Sequence, residues 1–246
     1  MAALLELVGV SKRFGQVRIA DDLSFGVEEG AAVGIVGPNG AGKTTLFGVM
    51  SGDLRPDAGM VRFAGRDVTR LGASARTRLG IGRTYQVPRP FSGMTVFENV
   101  LVAAQQGAGA RGRRSYELAA AALERGRLWK QANRPAGALG LLDRKRLEFA
   151  RALATGPRVL LLDEIAGGLT DAEVAELVGV VRQTNEEGVA VVWIEHVVRA
   201  LLATVDRLVC LAGGSIIGDG VPSEVISSAA VREVYLGSDV AFDVAR

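Results

Sequence analysis

Short apolar runs, each closed by glycine, proline or a charged residue, recur along this chain, as expected of strands buried on both faces. Ala31-Ala32-Val33-Gly34-Ile35-Val36 is one such run, and Thr45-Leu46-Phe47-Gly48-Val49-Met50 after it can open a helix. Arg158-Val159-Leu160-Leu161-Leu162 ends in Asp163-Glu164, and Val189-Ala190-Val191-Val192-Trp193-Ile194 ends in Glu195-His196. Across about 31–85 and 155–220 strands alternate with helices, which predicts an α/β fold built on a mostly parallel sheet. Within residues 1–30, Leu4-Leu5-Glu6-Leu7-Val8 and Leu23-Ser24-Phe25-Gly26-Val27 predict short strands forming an antiparallel layer. The stretch 87–150 is mainly helical, with Gln105 to Gly112 as a flexible connection. Ala212-Gly213-Gly214-Ser215 predicts a hairpin between two late strands, and short helices with a loose tail follow from about 222. The expected organisation is one unit over 1–246, with a helical subdomain at about 87–150 inserted in the α/β core.

Composition narrows the setting. The chain has 246 residues and is 48% hydrophobic, with mean hydropathy +0.24, so a sizeable core is expected. No apolar run approaches the ~18–20 residues that span a bilayer, and no basic segment precedes an apolar one at the N-terminus. A cytoplasmic location is expected. Cys210, the single cysteine, excludes an internal disulfide and reads as buried strand packing. A net charge of +2 is too balanced to argue for nucleic acid. Residues 111–151 nevertheless hold eleven basic and four acidic side chains, either a solvated helical face or a surface for a partner or phosphate.

The candidate chemistry begins at Gly37-Pro38-Asn39-Gly40-Ala41-Gly42-Lys43-Thr44-Thr45, which fits G-x-x-x-x-G-K-[ST] between a strand and a helix. The glycines let successive backbone N–H groups turn inward around phosphate oxygens, and the helix N-terminus adds its partial positive charge. Lys43 is expected to reach the β- and γ-phosphates of a nucleoside triphosphate, and Thr44 to place its hydroxyl on Mg²⁺. Asp163 and Glu164 end an apolar strand at the same sheet edge. Asp163 is assigned to the metal through its water shell, and Glu164 to orienting or deprotonating the attacking water. His196, the only histidine, ends another such strand and suits a γ-phosphate sensor. Gln86 precedes Pro88 and Pro90, so its amide stands on a movable loop within reach of metal or water. Phe14 reads either as a ring stacked on adenine or as core packing.

The order phosphate loop, glutamine loop, helix, carboxylate strand and histidine resembles the ATPase subunit of ATP-binding-cassette (ABC) transporters over essentially the whole chain. Gly82 to Arg89, Met94 to Val100, Leu147 to Ala154 and Val231 to Gly237 look like the branched-chain amino-acid importer group. The resemblance implies a P-loop NTPase (RecA-like) fold and ATP hydrolysis with Mg²⁺. It also implies a second ATPase subunit, as homo- or heterodimer, integral-membrane permeases, and indirectly a secreted substrate-binding protein, with the chain on the inner face of the membrane.

Three positions depart from that family. Leu139-Gly140-Leu141-Leu142-Asp143 stands where the family usually has Leu-Ser-Gly-Gly-Gln, a segment that closes on ATP held by the opposite subunit. Backbone donors survive there and the hydroxyl does not, while Leu141 and Leu142 crowd a glycine position. Ile165 replaces the usual proline after the catalytic glutamate, and Thr170 stands at the aspartate position of the loop that touches the partner. Two other readings are a soluble cassette ATPase acting on ribosome or DNA, and a regulatory module that hydrolyses weakly. A single phosphate loop and the absence of sustained heptads argue against the first, Glu164 and His196 against the second.

Overall fold

The structure is a computed structural model describing residues 3–236; the expected loose tail from Gly237 lies outside the described residues. The chain opens with β1 (Leu5–Phe14), β2 (Val17–Val27), β3 (Ala32–Val36), α1 (Lys43–Ser51), β4 (Ala58–Phe63) and β5 (Arg66–Asp67). Then come α2 (Ala73–Leu79), β6 (Ile81–Arg83), α3 (Val96–Gln106), α4 (Arg113–Arg125) and α5 (Leu141–Ala154). The rest is β7 (Val159–Asp163), α6 (Asp171–Glu186), β8 (Ala190–Ile194), α7 (Val198–Leu202), β9 (Arg207–Ala212), β10 (Ser215–Gly220), α8 (Pro222–Ser227) and α9 (Ala229–Leu236).

Two sheets result. The larger runs β10-β9-β3-β8-β7-β6, with β9 through β6 mutually parallel and β10 antiparallel at the edge. The smaller is antiparallel, in the order β2-β1-β4-β5. Alternation along the central strands feeds two cores, because successive side chains point to opposite faces. Leu160, Leu162, Val191 and Trp193 face the core shared with α3, α5 and α6. Val159, Leu161, Val192 and Ile194 face the other, shared with α1 and the antiparallel sheet.

Two expectations are revised. Residues 58–67 lie in the stretch assigned to the parallel sheet, yet β4 and β5 belong to the antiparallel layer. In Met60-Val61-Arg62-Phe63 only Val61 and Phe63 are buried, so the strand has a single apolar face and pairs with β1. Gln105 and Gln106 are the last turn of α3, not part of a flexible connection. The connection to α4 is drawn tight by the Gly107 N–H on Ala103 O at 2.8 Å and the Ala110 N–H on Ala104 O at 3.2 Å. The hairpin at Ala212–Ser215 forms as expected, with Gly213 and Gly214 both at positive φ between β9 and β10.

Candidate active site

Parallel strands deliver their C-terminal ends to one edge, and adjacent strands deliver them side by side. Here β3, β8, β7 and β6 are consecutive neighbours. The loop after β3, the His196 turn after β8, the Asp163-Glu164 pair of β7 and the Gln86 loop after β6 therefore share one ledge.

The phosphate loop, Gly37 to Thr45, is shaped by two glycines with no room for a side chain. A Cβ on Gly37 would lie 2.3 Å from Leu211 O in β9, and one on Gly42, at φ 98°, would lie 2.6 Å from Ile19 O in β2. Gly42 is also the N-cap of α1, whose first internal bond is Leu46 N–H to Gly42 O at 2.8 Å. The N–H groups of Lys43, Thr44 and Thr45 thus have no partner four residues back and form the positive end of the helix. The Lys43 ammonium, 6% exposed, donates to Gly37 O at 2.6 Å and Pro38 O at 3.0 Å. Burial pulls its pKa down, against the fields of Glu164 and Asp163. A cavity of about 210 Å³ above the loop is lined by residues 39–45, Ile19 and Glu164.

Glu164 sits at the meeting point of the other groups. Its Oε1 lies 2.8 Å from His196 Nε2, and its Oε2 accepts from Gln86 Nε2. An ionised carboxylate offers about four lone-pair sites, so two donors leave two free for a water proton. The backbone there is left-handed, φ 48° at a non-glycine residue. Asp163 is buried one residue earlier, and burial pushes its carboxyl up from the ordinary range against the pull of Arg83.

Arg83 has no role in the sequence analysis, yet it organises this corner. One end of its guanidinium meets Asp163 Oδ2 at 3.0 Å, the other Asp53 Oδ2 at 2.8 Å and Ser51 Oγ at 3.0 Å. It therefore ties the carboxylate of β7 to the C-terminal end of α1. Buried Asn99 holds the glutamine loop from the far side, donating to Phe91 O at 3.1 Å and accepting the Phe91 N–H at 2.8 Å. This gives Met94 to Val100 its reason: Thr95 and Glu98 form a capping box that starts α3, and Asn99 follows in its first turn.

The structure does not bring every expected residue to this ledge. Phe14 stands on the β1–β2 turn, 48% exposed, with Lys12 Nζ 5.6 Å from its ring centroid; the side chain that covers the phosphate loop is Ile19. Leu139 is packed in the core, whereas Gly140 is the N-cap of α5 with no side-chain cap. Leu141 is 49% exposed, and its Cδ2 would lie 3.3 Å from a Cβ at Gly168, so it rests against the loop before α6. Thr170 caps α6 in a capping box with Glu173, a local reason for threonine there. Much of the basic excess is bound internally. Arg144 donates to Leu139 O and Gly137 O, Arg134 to Ala138 O, Arg146 meets Asp143 and Glu176, and Arg125 meets Glu187.

A helix N-terminus with a buried ammonium, two strand-end carboxylates and a histidine–glutamine clamp can bind a triphosphate and direct water at its terminal phosphorus. The comparisons with known proteins agree. The family model described as "ABC transporter" matches residues 20–167, more than half the chain. The chain is 34% identical to the high-affinity branched-chain amino acid transport ATP-binding protein BraF of Pseudomonas aeruginosa, over 95% of this chain and 98% of that one. It is 35% identical to the lipopolysaccharide export system ATP-binding protein LptB of Acidithiobacillus ferridurans, over 96% and 98%. A solved ATP-binding cassette of an ABC transporter in its ADP conformation superimposes with TM-score 0.87 at 30% identity, over 97% of this chain and all of that one. Matched in family, in fold and along nearly its whole length, the chain belongs to the ABC transporters as an ATP-binding cassette, the subunit that hydrolyses ATP.

Proposed function

We propose that this cassette energises import of branched-chain or related amino acids, working on the inner face of the membrane with a second ATPase subunit and permease subunits. A secreted binding protein would supply the substrate, and no nucleic acid is involved. Among the described residues no helix is long and apolar enough to cross a membrane, and the permease subunits are proposed to provide the path. The glutamine loop, with Tyr85, Val87 and Phe91 exposed, and the helices that follow it to about residue 150 are the surface assigned to the permease.

The observation that carries the catalytic part is the convergence on Glu164. Gln86 and His196 hold its two oxygens at the mouth of the cavity over the phosphate loop. Glu164 orients the water and takes its proton, His196 senses the γ-phosphate, and Lys43 with the N–H groups of Gly40 to Thr45 holds the β- and γ-phosphates. Phe14 offers an exposed ring for adenine on the hairpin that also carries Ile19. Gly140 to Leu142 present backbone N–H groups at the start of α5 to the partner's ATP, while the Leu139 N–H is taken by Ala136 O at 3.3 Å.

The donors also fit magnesium. Among the described residues no cluster of three or more His, Cys, Asp or Glu side chains could hold a metal alone. Asp163, the Thr44 hydroxyl and the free amide oxygen of Gln86 are hard oxygens suited to a cation held mainly by phosphates and water. When bound, Mg²⁺ neutralises phosphate charge during transfer. Arg83 keeps the Asp163 carboxylate aimed at that edge.

The likeness to an export-system protein keeps a second direction open. Two experiments test the reading. Glu164→Gln should abolish turnover and preserve ATP binding; full-rate hydrolysis would remove Glu164 from the mechanism. Deleting the gene should abolish uptake of labelled leucine or a related amino acid, whereas unchanged uptake with a defect in lipid export would favour the second direction.

A further inference from the structure

The turn that carries Glu164 is strained, and its own sequence does not hold it. Residue 164 is not glycine, residue 165 is isoleucine and not proline, and φ is 48°. Such a backbone persists only where its surroundings over-determine it. Three contacts do so. The Glu164 N–H continues the ladder to Ile194 O at 2.9 Å. The Glu164 carbonyl accepts from Lys145 Nζ at 3.3 Å. Two residues on, the Ala166 N–H donates to Glu195 Oε1 at 2.5 Å.

Glu195 does more than fill that donor. Its second oxygen accepts the backbone N–H of His196 at 3.1 Å, so one carboxylate fastens the Glu164 turn to the His196 turn. Glu195 is 2% exposed and Lys145 is 5% exposed, and neither lines the cavity over the phosphate loop. Burial works against both charges, raising the pKa of Glu195 and lowering that of Lys145; each is partly restored by the field of the other. Two buried, opposite charges aimed at main-chain groups are a costly way to fill a strand end, and an apolar replacement would suit packing alone. They are spent on the backbone either side of the two side chains that clamp one another through Glu164 Oε1 and His196 Nε2.

We infer that Glu195 and Lys145 are positioning residues: together they fix the Glu164 carboxylate between Gln86 and His196, and so set the rate of turnover without touching the nucleotide. The inference rests on Glu164 as the water-orienting group. Lys145 lies one turn into α5, so the start of that helix is mechanically joined to the Glu164 carbonyl.

The test compares Glu195→Gln and Lys145→Met with the wild type for affinity towards a fluorescent ATP analogue, KM, kcat and Tm. Affinity and KM should stay near wild type while kcat falls by about ten- to a hundredfold, the scale for a catalytic group displaced by up to an ångström. A role in packing alone would instead lower Tm and weaken binding and kcat together, which overturns the inference. The same holds if kcat is unchanged. Lys145→Met leaves the Glu195 acceptors filled and carries the test by these criteria if Glu195→Gln does not fold. Adding Glu195→Gln to Glu164→Gln should cost no further residual turnover, since its effect passes through the missing carboxylate; a full additional loss overturns the route. If Glu164→Gln alone hydrolyses at the wild-type rate, the role given to Glu164 falls. If Glu164→Gln is dead and Glu195→Gln is fully active, only the positioning role falls.

Discussion

Lys43→Met should separate nucleotide binding from folding. The ammonium is buried and its hydrogen bonds go to the carbonyls of Gly37 and Pro38, while Asp163 and Glu164 act on it through space. Hydrogen bonds from a charged donor contribute about 1.5–3 kcal/mol each, against a desolvation cost of several kcal/mol for a buried ion. The two nearly cancel, so the variant should fold with stability within about 1 kcal/mol of wild type, or about 2–4 °C in Tm at this chain length. Binding is different. Removing one partner of a buried charge pair costs about 3–5 kcal/mol, or roughly a hundred- to several-thousandfold in Kd. With ATP at about 100 times the wild-type Kd, the wild type gains about 2.7 kcal/mol, or roughly 5–11 °C. The variant at the same concentration should gain about 0.3 kcal/mol or less, near 1 °C. Thermal unfolding across an ATP titration measures both numbers. A variant whose Tm climbs with ATP as far as wild type, or whose Tm without ATP drops by more than about 5 °C, would show that Lys43 holds the loop and not the phosphates.

Three further outcomes are expected. Gly140→Ser places a hydroxyl at the uncapped start of α5, where a Cβ meets nothing within 4 Å; it should stabilise by a few tenths of a kcal/mol. On the proposed pairing with a second ATPase subunit it should also raise ATPase activity by about tenfold, and an unchanged rate would mean the backbone N–H groups there suffice. The Cys210 thiol, buried in β9 with its pKa pushed up to about 11, should resist iodoacetamide at pH 8 until the protein is unfolded, as mass spectrometry can follow. Burial raises the Glu148 carboxyl above its ordinary 4.5, against the pull of Arg151. Between those two values the folded state binds more protons than the unfolded one, so this group's contribution to stability falls as pH rises through that window. The Tm of Glu148→Gln relative to wild type should therefore improve from pH 4 towards neutrality, and a flat difference would contradict the shift.

Much of the site was legible because its signals are local. In Gly37 to Thr45 each residue type is demanded by the loop itself, and Asp163-Glu164 and Glu195-His196 announce themselves by ending apolar runs. Once the strands are parallel neighbours, their ends must meet. What escaped depends on partners far along the chain. Arg83 finds Asp53 and Asp163, Lys145 finds the Glu164 carbonyl, and Arg146 finds Glu176. No spacing rule joins such positions, so they read as ordinary surface charge. The placement of β4 and β5 was missed for a related reason: their position between α1 and β6 suggests the parallel sheet, and only the one-sided burial of Val61 and Phe63 assigns them to β1. The capping boxes at Thr95 and Thr170 are readable as S/T-x-x-E, each within a segment that also carries a family motif.

The strand order also fixes when this protein can become competent during its own synthesis. The strand leading into the phosphate loop, β3, pairs only with β8 and β9, which are made last among the parallel strands. The antiparallel sheet can close once Asp67 has emerged, whereas β3 gains its last partner only with Ala212, roughly 7 to 29 s later at about 5–20 residues per second. Until β8 emerges β3 has no strand partner, and until β9 emerges Gly37 lacks the Leu211 carbonyl against which it packs. A nascent chain stalled before β9 should be unable to hold ATP however complete its phosphate-loop sequence, which leaves this cassette dependent on protection from aggregation until almost the last strand is out.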